Sequence, residues 1–362
     1  MKLNELLRQV PDPRGKQGQD YALWSILSLI VVSLLCGRRG LRAAFRLGRG
    51  LTPGQRRALG FMKGTTPCHA TLTETLRAIE ASALAAVLGT AGIAAGDDGG
   101  HVAIDGKTLR ASKDQDGKAV HVLSAFCSGL QKMLGQTASR GQGLEIPDAL
   151  KLLEQLDLTG KVVTGDAIFC QKPITATIVE RGGDYIFPVK DNQKGLRENI
   201  EMAFEEPAFP MTCYESGAEK AHGRIEQRRI DGLPAEAAGI KDEWPTVRQI
   251  CRVCRSRQIK KKGRWQETNE IVYLITSLPP ARATPHVILQ GNRRHWGIEI
   301  MHRNKDVLLG EDQYTNRSDN APANIFSLTS LVLTICKTIG PSVIRAIEYF
   351  QDDKNRAIRL IQ

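Results

Sequence analysis

The stretch "HVAIDGKTLR", residues 101 to 110, decides the fold of this chain. It follows the small-residue run "GTAGIAAGDDGG" (89–100), which is typical of a domain boundary. Before that run the sequence has a helical texture, and after it strand-like runs appear. We therefore expect a short β-strand that begins here and ends at Asp105.

The segments after this strand predict an α/β fold. "KAVHVLSAFCSG" (118–129) and "KMLGQTASR" (132–140) read as two strands joined by a tight turn. Helical and strand patterns then alternate, with helices at 146–158, 172–182 and 194–206 and strands at 161–167 and 184–190. A hairpin followed by this alternation predicts a mixed sheet with helices packed on it.

The rest of the chain divides around that core. Residues 1–95 predict an all-α domain, in which "ALWSILSLIVVSLL" (22–35) is a buried core helix, because 14 residues are fewer than the roughly 20 that span a bilayer. Residues 96–208 form the first part of the core, and 209–282 read as a basic, β-rich insertion. Residues 283–362 return to helices and complete the core.

Composition points to a polyanionic partner. Lys and Arg total 50 against 39 Asp and Glu, a net charge of +11, which favours nucleic acid. Eight scattered cysteines and a start unlike a signal peptide fit reduced thiols in the cytoplasm. The one close pair, Cys251 and Cys254, has no second pair to complete a zinc site, so we expect none.

Three carboxylates are candidates for a shared metal site. Asp105 and Asp166 each follow an apolar strand-like run, and Glu299 lies in the basic helical stretch "RRHWGIEIMHRNKD" (293–306). Neighbouring strands are about 4.8 Å apart, so pairing would bring the two aspartates within reach of one ion. Mg²⁺ prefers such oxygen ligands, and two ions about 4 Å apart promote phosphodiester cleavage. The plainer alternatives are a turn residue and a surface ion pair.

An arginine-rich segment in the first 95 residues has two possible interpretations. Its members are Arg38, Arg39, Arg42, Arg46 and Arg49. They form either a solvated helix face or a surface that contacts phosphates, which requires cations but no particular spacing. The sequence leaves both readings open.

Six motifs occur in a fixed order: "VAIDGKTLR", "VVTGDAIFCQK", "IVERGGDYIFPVKDNQ", "HGRIEQR", "HWGIE" and "LLGEDQYTNRSDNAPANIFSL". Together they resemble the bacterial insertion-sequence transposases of the ISAs type, which include the H-repeat-associated proteins of Rhs elements. The resemblance covers nearly the whole chain. It implies a ribonuclease-H-like catalytic core with a DDE triad, here Asp105, Asp166 and Glu299, that binds Mg²⁺ and tolerates Mn²⁺.

The same resemblance implies double-stranded DNA as partner, both the terminal inverted repeats of the element and the target, and a homodimer in the DNA complex. Side chains suited to contacting this DNA are Lys107, Lys190, Asn192, Gln193, Lys194, Arg224, Arg228, Arg294, His295, His302 and Lys305. His295, Glu299 and His302 have the spacing of one helix face. We expect Trp296 to pack in the core.

We interpret the chain as a bacterial DNA transposase that cleaves element ends with metal ions and transfers the 3′-OH into target DNA. Such a protein would be cytoplasmic, bound to the nucleoid through DNA, and would need no membrane. Two alternatives stay open: a transposase-derived DNA-binding protein without catalysis, and a DDE-type nuclease that cuts without joining.

Overall fold

The computed structural model describes residues 2–89, 100–141, 143–221, 223–261 and 264–362. The predicted boundary run at 89–100 therefore lies almost wholly outside the described residues. The chain forms two compact units: unit 1 comprises Met1–Asp98, Asp105–Asp148 and Gly297–Gln362, and unit 2 comprises Gly99–Ile104 and Ala149–Trp296. The boundaries of these two units differ from those of the four predicted segments. The division into four segments stays a prediction.

Helices and strands alternate through the middle of the chain, as the sequence predicts. The helices are Leu3–Leu7 (α1), Leu23–Leu35 (α2), Leu41–Arg49 (α3), Pro53–Ala58 (α4), His69–Ala78 (α5), Ala81–Gly89 (α6), Glu145–Gln155 (α7), Lys172–Glu180 (α8), Lys194–Glu205 (α9), Pro285–Arg294 (α10), Trp296–Val307 (α11), Ala321–Ile339 (α12), Val343–Asp352 (α13) and Lys354–Ile361 (α14). The strands are His101–Leu109 (β1), Val120–Cys127 (β2), Lys132–Arg140 (β3), Val162–Thr164 (β4), Asp184–Val189 (β5), Thr212–Glu215 (β6), Glu219–Ala221 (β7), Arg224–Pro234 (β8), Gln249–Lys261 (β9) and Arg264–Thr276 (β10).

Two apolar helices form the centre of unit 1. Apart from Trp24, every residue of α2 is buried, which confirms the predicted core helix. Of the described helices, α12 is the one whose length and apolar composition would allow it to cross a membrane, and most of it is buried in the protein. It packs against α2, α5 and β3, and the Asn324 amide donates to the carbonyls of Leu76 and Ile79, each at 2.8 Å.

The predicted hairpin is confirmed in unit 1. Strands β2 and β3 are antiparallel, with Val122 paired with Ala138, and β2 lies beside β1. Val120 and Val122 of β2 pack with Leu109 and with Phe326 of α12. This apolar contact joins the hairpin, β1 and α12.

Unit 2 contains a mixed sheet. The first residues of β1 pair in parallel with β4, β4 pairs in parallel with β5, and β5 then pairs antiparallel with β10. Strands β9, β8 and β6 follow in antiparallel order, with β7 also on β8. The predicted β-rich segment 209–282 is therefore built of strands, and they extend the same sheet. Ile186, Leu274 and Ile288 form part of its apolar core.

Two sequence-based expectations are wrong. Strand β1 does not end at Asp105 but continues to Leu109, because Gly106 is accommodated within the strand and makes no turn. Trp296, expected in the core, is 60% exposed at the start of α11.

A buried charged cluster ties four segments of unit 1 together. The Glu311 carboxylate accepts from Lys107 of β1 at 2.7 Å and from Thr329 of α12 at 2.7 Å, and it lies 3.1 Å from the Lys305 ammonium of α11. Lys107 also bonds Asp306, and Lys305 donates to the Phe326 carbonyl and the Ser330 hydroxyl. Burial raises the pKa of Glu311, but Lys305 and Lys107 outweigh burial and hold it below its usual range. Burial lowers the pKa of Lys305 to about 7, against the attraction of Glu311.

This cluster corrects two predicted DNA contacts. The Lys305 side chain has no exposed surface and that of Lys107 is 9% exposed. Because their ammonium groups are enclosed and bonded to carboxylates, neither reaches a phosphate in this structure.

We predict that Glu311→Gln destabilises the protein by roughly 3 kcal/mol, because two buried lysines lose the carboxylate that compensates their charge. The neighbouring Asp312→Asn is the matched control: Asp312 makes only a 3.7 Å ion pair with the exposed Arg110, so its loss should cost less than about 1 kcal/mol. Denaturant unfolding measures both. Equal effects of the two substitutions would contradict the role of Glu311.

Candidate active site

The strands that precede the two candidate aspartates are hydrogen-bonded neighbours. In unit 2, His101, Val102 and Ala103 of β1 pair in parallel with Val162, Val163 and Thr164 of β4. Ala103 lies two residues before Asp105, and its partner Thr164 lies two residues before Asp166. The pairing that a shared site requires is thus present, and the two acids follow it with the same offset.

In unit 1, Asp105 contacts a histidine of α11. Its Oδ1 accepts the Gly106 N–H at 2.9 Å, and its Oδ2 lies 3.3 Å from Nδ1 of His302. The His302 ring is buried and stands edge-on to Phe326, at 6.1 Å between ring centroids. His302 is therefore in a position to orient the Asp105 carboxylate.

Glu299 is exposed in the first turn of α11. It lies three residues before His302, a spacing that puts the two side chains on neighbouring positions of one helix face. A carboxylate in a first helical turn is also favoured by the helix dipole. Since His302 contacts Asp105, the same face of α11 presents Glu299 on the side of β1.

In unit 2, Asp166 caps the 3₁₀ helix Ala167–Phe169. Its Oδ1 accepts the Ala167 N–H at 2.7 Å and the Lys190 ammonium at 3.0 Å. Burial acts to raise the pKa of Asp166, but the Ala167 N–H and Lys190 outweigh it and hold the pKa below its usual range. Asp166 is therefore an exposed, ionised carboxylate beside a cation.

Two residues predicted to bind DNA, Asn192 and Gln193, hydrogen-bond to the segment that follows Asp166. Asn192 Nδ2 donates to the Ala167 carbonyl at 2.7 Å, and Gln193 Nε2 donates to the Cys170 carbonyl at 3.0 Å. Both bonds hold the turn that carries Asp166. Lys194 is exposed, 3.7 Å from Glu198. DNA contact by Asn192, Gln193 and Lys194 stays a prediction.

A chain of three side chains supports the strand before Asp166. The Thr164 hydroxyl lies 3.0 Å from Nε2 of His101 and 3.3 Å from Nδ1 of His295. Burial lowers the pKa of His101 to about 4, with Arg294 adding to the effect, so the ring is neutral. His295 lies between α10 and α11, outside α11, so the predicted single helix containing His295, Glu299 and His302 is wrong.

Arg228, another predicted DNA contact, is paired with carboxylates in this structure. The Arg228 side chain is 13% exposed, bonds Glu226, and lies 3.6 Å from Glu219. Two carboxylates thus occupy its guanidinium, which leaves little of it for a phosphate. Arg224 is more exposed and lies 2.8 Å from Glu226, and Arg294 is exposed. Their DNA contact stays a prediction.

Each candidate acid has a tightly packed glycine within two residues. A Cβ added to Gly106 would lie 2.5 Å from the His121 ring. A Cβ added to Gly165 would lie 2.8 Å from the Phe169 ring, and a Cβ added to Gly297 would lie 2.8 Å from the Ser128 hydroxyl. Real Cβ atoms do not approach other atoms so closely, so a side chain there would force either the contacted side chain or the backbone beside the acid to shift.

Sequence reasoning missed His101, His121 and Glu311. His121 lies on β2 against Gly106, and His101 begins the strand that leads to Asp105. The motif "VAIDGKTLR" begins directly after His101, and the motif "LLGEDQYTNRSDNAPANIFSL" contains Glu311, but neither motif indicates what these residues do. For His121 the only local signal is a histidine in an otherwise apolar strand.

The chain is similar in sequence to known transposases. Residues 96–334 match the family model "Transposase DDE domain", and residues 4–90 match the model "DDE_Tnp_1-associated". The chain is 30% identical to "H repeat-associated putative transposase YhhI" of Escherichia coli K12, over 90% of this chain and 87% of that protein. It is 34% identical to "Putative transposase YncI" of Escherichia coli O157:H7, over 68% of this chain and 65% of that protein.

Among solved structures, the chain is similar to the piggyBac transposase in a synaptic complex with hairpin DNA. The TM-score is 0.42 at 10% identity, over 99% of this chain and 76% of that one. That likeness is too weak to establish a shared fold. The domain match, in contrast, spans well over half of the chain, and the relative YhhI is matched over most of its length. On these two grounds, the chain belongs to the family of DDE transposases.

Proposed function

We propose that this chain is a metal-dependent DNA transposase in which Asp105, Asp166 and Glu299 bind divalent cations, Mg²⁺ or Mn²⁺. The observation that carries the proposal is the register of β1 and β4, in which the partners Ala103 and Thr164 each precede an aspartate by two residues. Family membership supports the third acid and a ribonuclease-H-like core behind an N-terminal all-α domain.

The donor chemistry of the three acids fits such cations. Hard carboxylate oxygens are the ligands that Mg²⁺ prefers, and Asp166 already has a cation, the Lys190 ammonium, 3.0 Å from one oxygen. Among the described residues, no group of three or more His, Cys, Asp or Glu side chains has a metal-ligand arrangement. The fit therefore rests on ligand type and on the position of each acid within its own unit.

The surrounding residues orient and balance these acids. His302 orients Asp105 through the 3.3 Å contact, and Asn192 holds the turn of Asp166. Lys190 neutralises Asp166 in the resting protein, and its exposed ammonium suits a phosphate of the substrate. Divalent ions bound by the acids would activate the attacking oxygen and stabilise the leaving one.

The proposed reaction has two phosphoryl-transfer steps. Water first attacks the phosphorus at the end of the element, the P–O3′ bond breaks, and the element keeps a free 3′-OH. That 3′-OH then attacks a phosphodiester of the target and displaces the target's 3′ oxygen. Each step replaces one P–O bond by another, and no side chain forms a covalent intermediate.

The proposed partners follow from this reaction. They are double-stranded DNA with the inverted repeats of the element and double-stranded target DNA. A homodimer would hold two element ends together. The protein would act in the bacterial cytoplasm, associated with the nucleoid when bound to DNA.

We predict that Asp105→Asn, Asp166→Asn and Glu299→Gln each lower end cleavage at least about 100-fold, because each removes a charged oxygen ligand from the transition-state environment. DNA affinity in Ca²⁺ should change little. Glu154→Gln, an exposed helical glutamate of α7, is the control and should cleave normally.

A nicking assay on duplexes that carry an element end measures this, and transfer of a pre-cut end into a plasmid tests joining. Near-normal cleavage by any one of the three variants would contradict the proposed triad. Binding without nicking by the unaltered protein would indicate a non-catalytic DNA-binding protein. Nicking without transfer would indicate a nuclease.

We predict that Gly165→Ala lowers cleavage strongly and stability by about 1–3 kcal/mol, because the new methyl group would overlap Phe169 and crowd Ile104 and Phe187. Gly195→Ala is the matched control, since a Cβ there meets open space in α9. It should leave cleavage unchanged and stabilise the protein by up to about 1 kcal/mol. Unfolding and nicking assays on both variants decide; a fully active Gly165→Ala protein would refute the steric role.

A further inference from the structure

Unit 1 contains an open cleft of about 650 Å³ whose lining includes none of the acids described above. Three segments line it: the start of α3, one face of α5, and the chain between Gln313 and Ala321. Its basic side chains come from residues far apart in sequence, namely Arg39, Arg42, His69, Arg77 and Arg317. Among the described residues that line it there is no Asp or Glu.

The four arginines differ in how their charge is compensated. Arg77 is paired with Glu74 at 2.9 Å and with Asp319 at 2.7 Å, both outside the lining. Within the described ranges, no carboxylate lies within 4.0 Å of Arg39, Arg42 or Arg317. Three arginines of the cleft therefore have no ion pair within this distance among the described residues, and such a surplus of cations attracts an anion.

Arg39 is fixed in place without being neutralised. Its guanidinium donates to the carbonyls of Val307 at 3.1 Å and Leu308 at 3.4 Å, at the C-terminal end of α11. Its side chain also covers Gly310, where a Cβ would lie 2.7 Å from Arg39 Cδ. A guanidinium has five N–H donors, so two bonds to carbonyls leave donors for a ligand.

The remaining lining indicates what kind of anion fits. Thr73, Thr315 and Ser318 supply hydroxyl groups, which commonly bond phosphate oxygens together with arginine. Among the described residues of the lining, Tyr314 is the one Phe, Tyr or Trp, and it is buried with its hydroxyl bonded to the Leu309 carbonyl at 2.9 Å, so it offers no exposed ring for a base to stack on. Cations and hydroxyls without a stacking ring fit a sugar–phosphate backbone.

We propose that this cleft binds the phosphate backbone of duplex DNA independently of sequence, and so anchors DNA on unit 1. The inference rests on the proposed function for the identity of the polyanion. It also resolves the open reading of the arginine-rich segment: Arg39 and Arg42 contact phosphate, whereas Arg46 and Arg49, outside the lining, form a solvated face.

The test compares full-length Arg42→Ala/Arg317→Ala protein with an Arg46→Ala/Arg345→Ala control. Both pairs remove two exposed arginines, and Arg46 lies one turn after Arg42 on the same helix. Binding to a duplex without element ends is measured against salt concentration, with Ca²⁺ present to prevent cleavage. Unfolding midpoints verify that both variants fold.

We expect the slope of log K against log salt to fall by about 2 for the cleft variant, since each lost phosphate contact contributes about 0.9. Its affinity should fall to the same extent for duplexes with and without an element end. The control should keep the slope of the unaltered protein. An unchanged slope in the cleft variant, or the same decrease in the control, would overturn the inference.

The two proposals can fail separately. If the protein cuts DNA but the cleft variant keeps its slope, the cleft inference alone is lost. If the protein binds with the expected slope change but does not nick, the proposed catalysis is lost and the cleft stands. Absence of any salt-dependent DNA binding would overturn both.

Discussion

The buried Glu311 carboxylate is the constraint on which unit 1 depends. It accepts from β1 through Lys107 and from α12 through Thr329, and it pairs with Lys305 of α11. Asp105 lies two residues before Lys107, and Glu299 lies six residues before Lys305. Groups with buried charge tolerate little displacement, because each lost contact leaves an uncompensated ion in a low-dielectric interior. The cluster therefore fixes the relative position of the two elements that carry Asp105 and Glu299.

Close packing provides the second constraint. Gly106, Gly165 and Gly297 each lie where a Cβ would overlap another residue, and each is one or two residues from a candidate acid. The motifs "IDGK", "TGDA" and "HWGIE" thus combine a carboxylate with a position where a side chain would force a neighbouring residue to move. The glycines do not need unusual dihedral angles there; they let a ring or hydroxyl from a neighbouring element approach the backbone. Close packing at these glycines therefore constrains the backbone that carries the acids, in addition to the hydrogen bonds described above.

Much of the secondary structure could be predicted because its signals are local. Apolar periodicity indicated α2, the β2–β3 hairpin and the alternation from α7 to α9, and strand-like runs indicated that β1 and β4 could pair. The errors arise where the decisive partner is distant in sequence. Gly106 reads as a turn until His121 is known to cover it, and Lys107 reads as a surface cation until Glu311, 204 residues later, is known to bind it. The spacing of His295 suggested one helix with Glu299, but the contact with Thr164 is not visible in local sequence.

The net charge of +11 is therefore divided among residues with different roles. Lys107, Lys305 and Arg228 are enclosed and matched by carboxylates, so they contribute little to the attraction of a polyanion. Arg39, Arg42 and Arg317 line a cleft whose described lining lacks acids, and their field extends into solvent. Arg39 also bonds the carbonyls of Val307 and Leu308 at the C-terminal end of α11, the helix that carries Glu299 in its first turn. Arg39 therefore belongs both to the lining of the proposed cleft and to the contacts at the C-terminal end of the helix that carries Glu299.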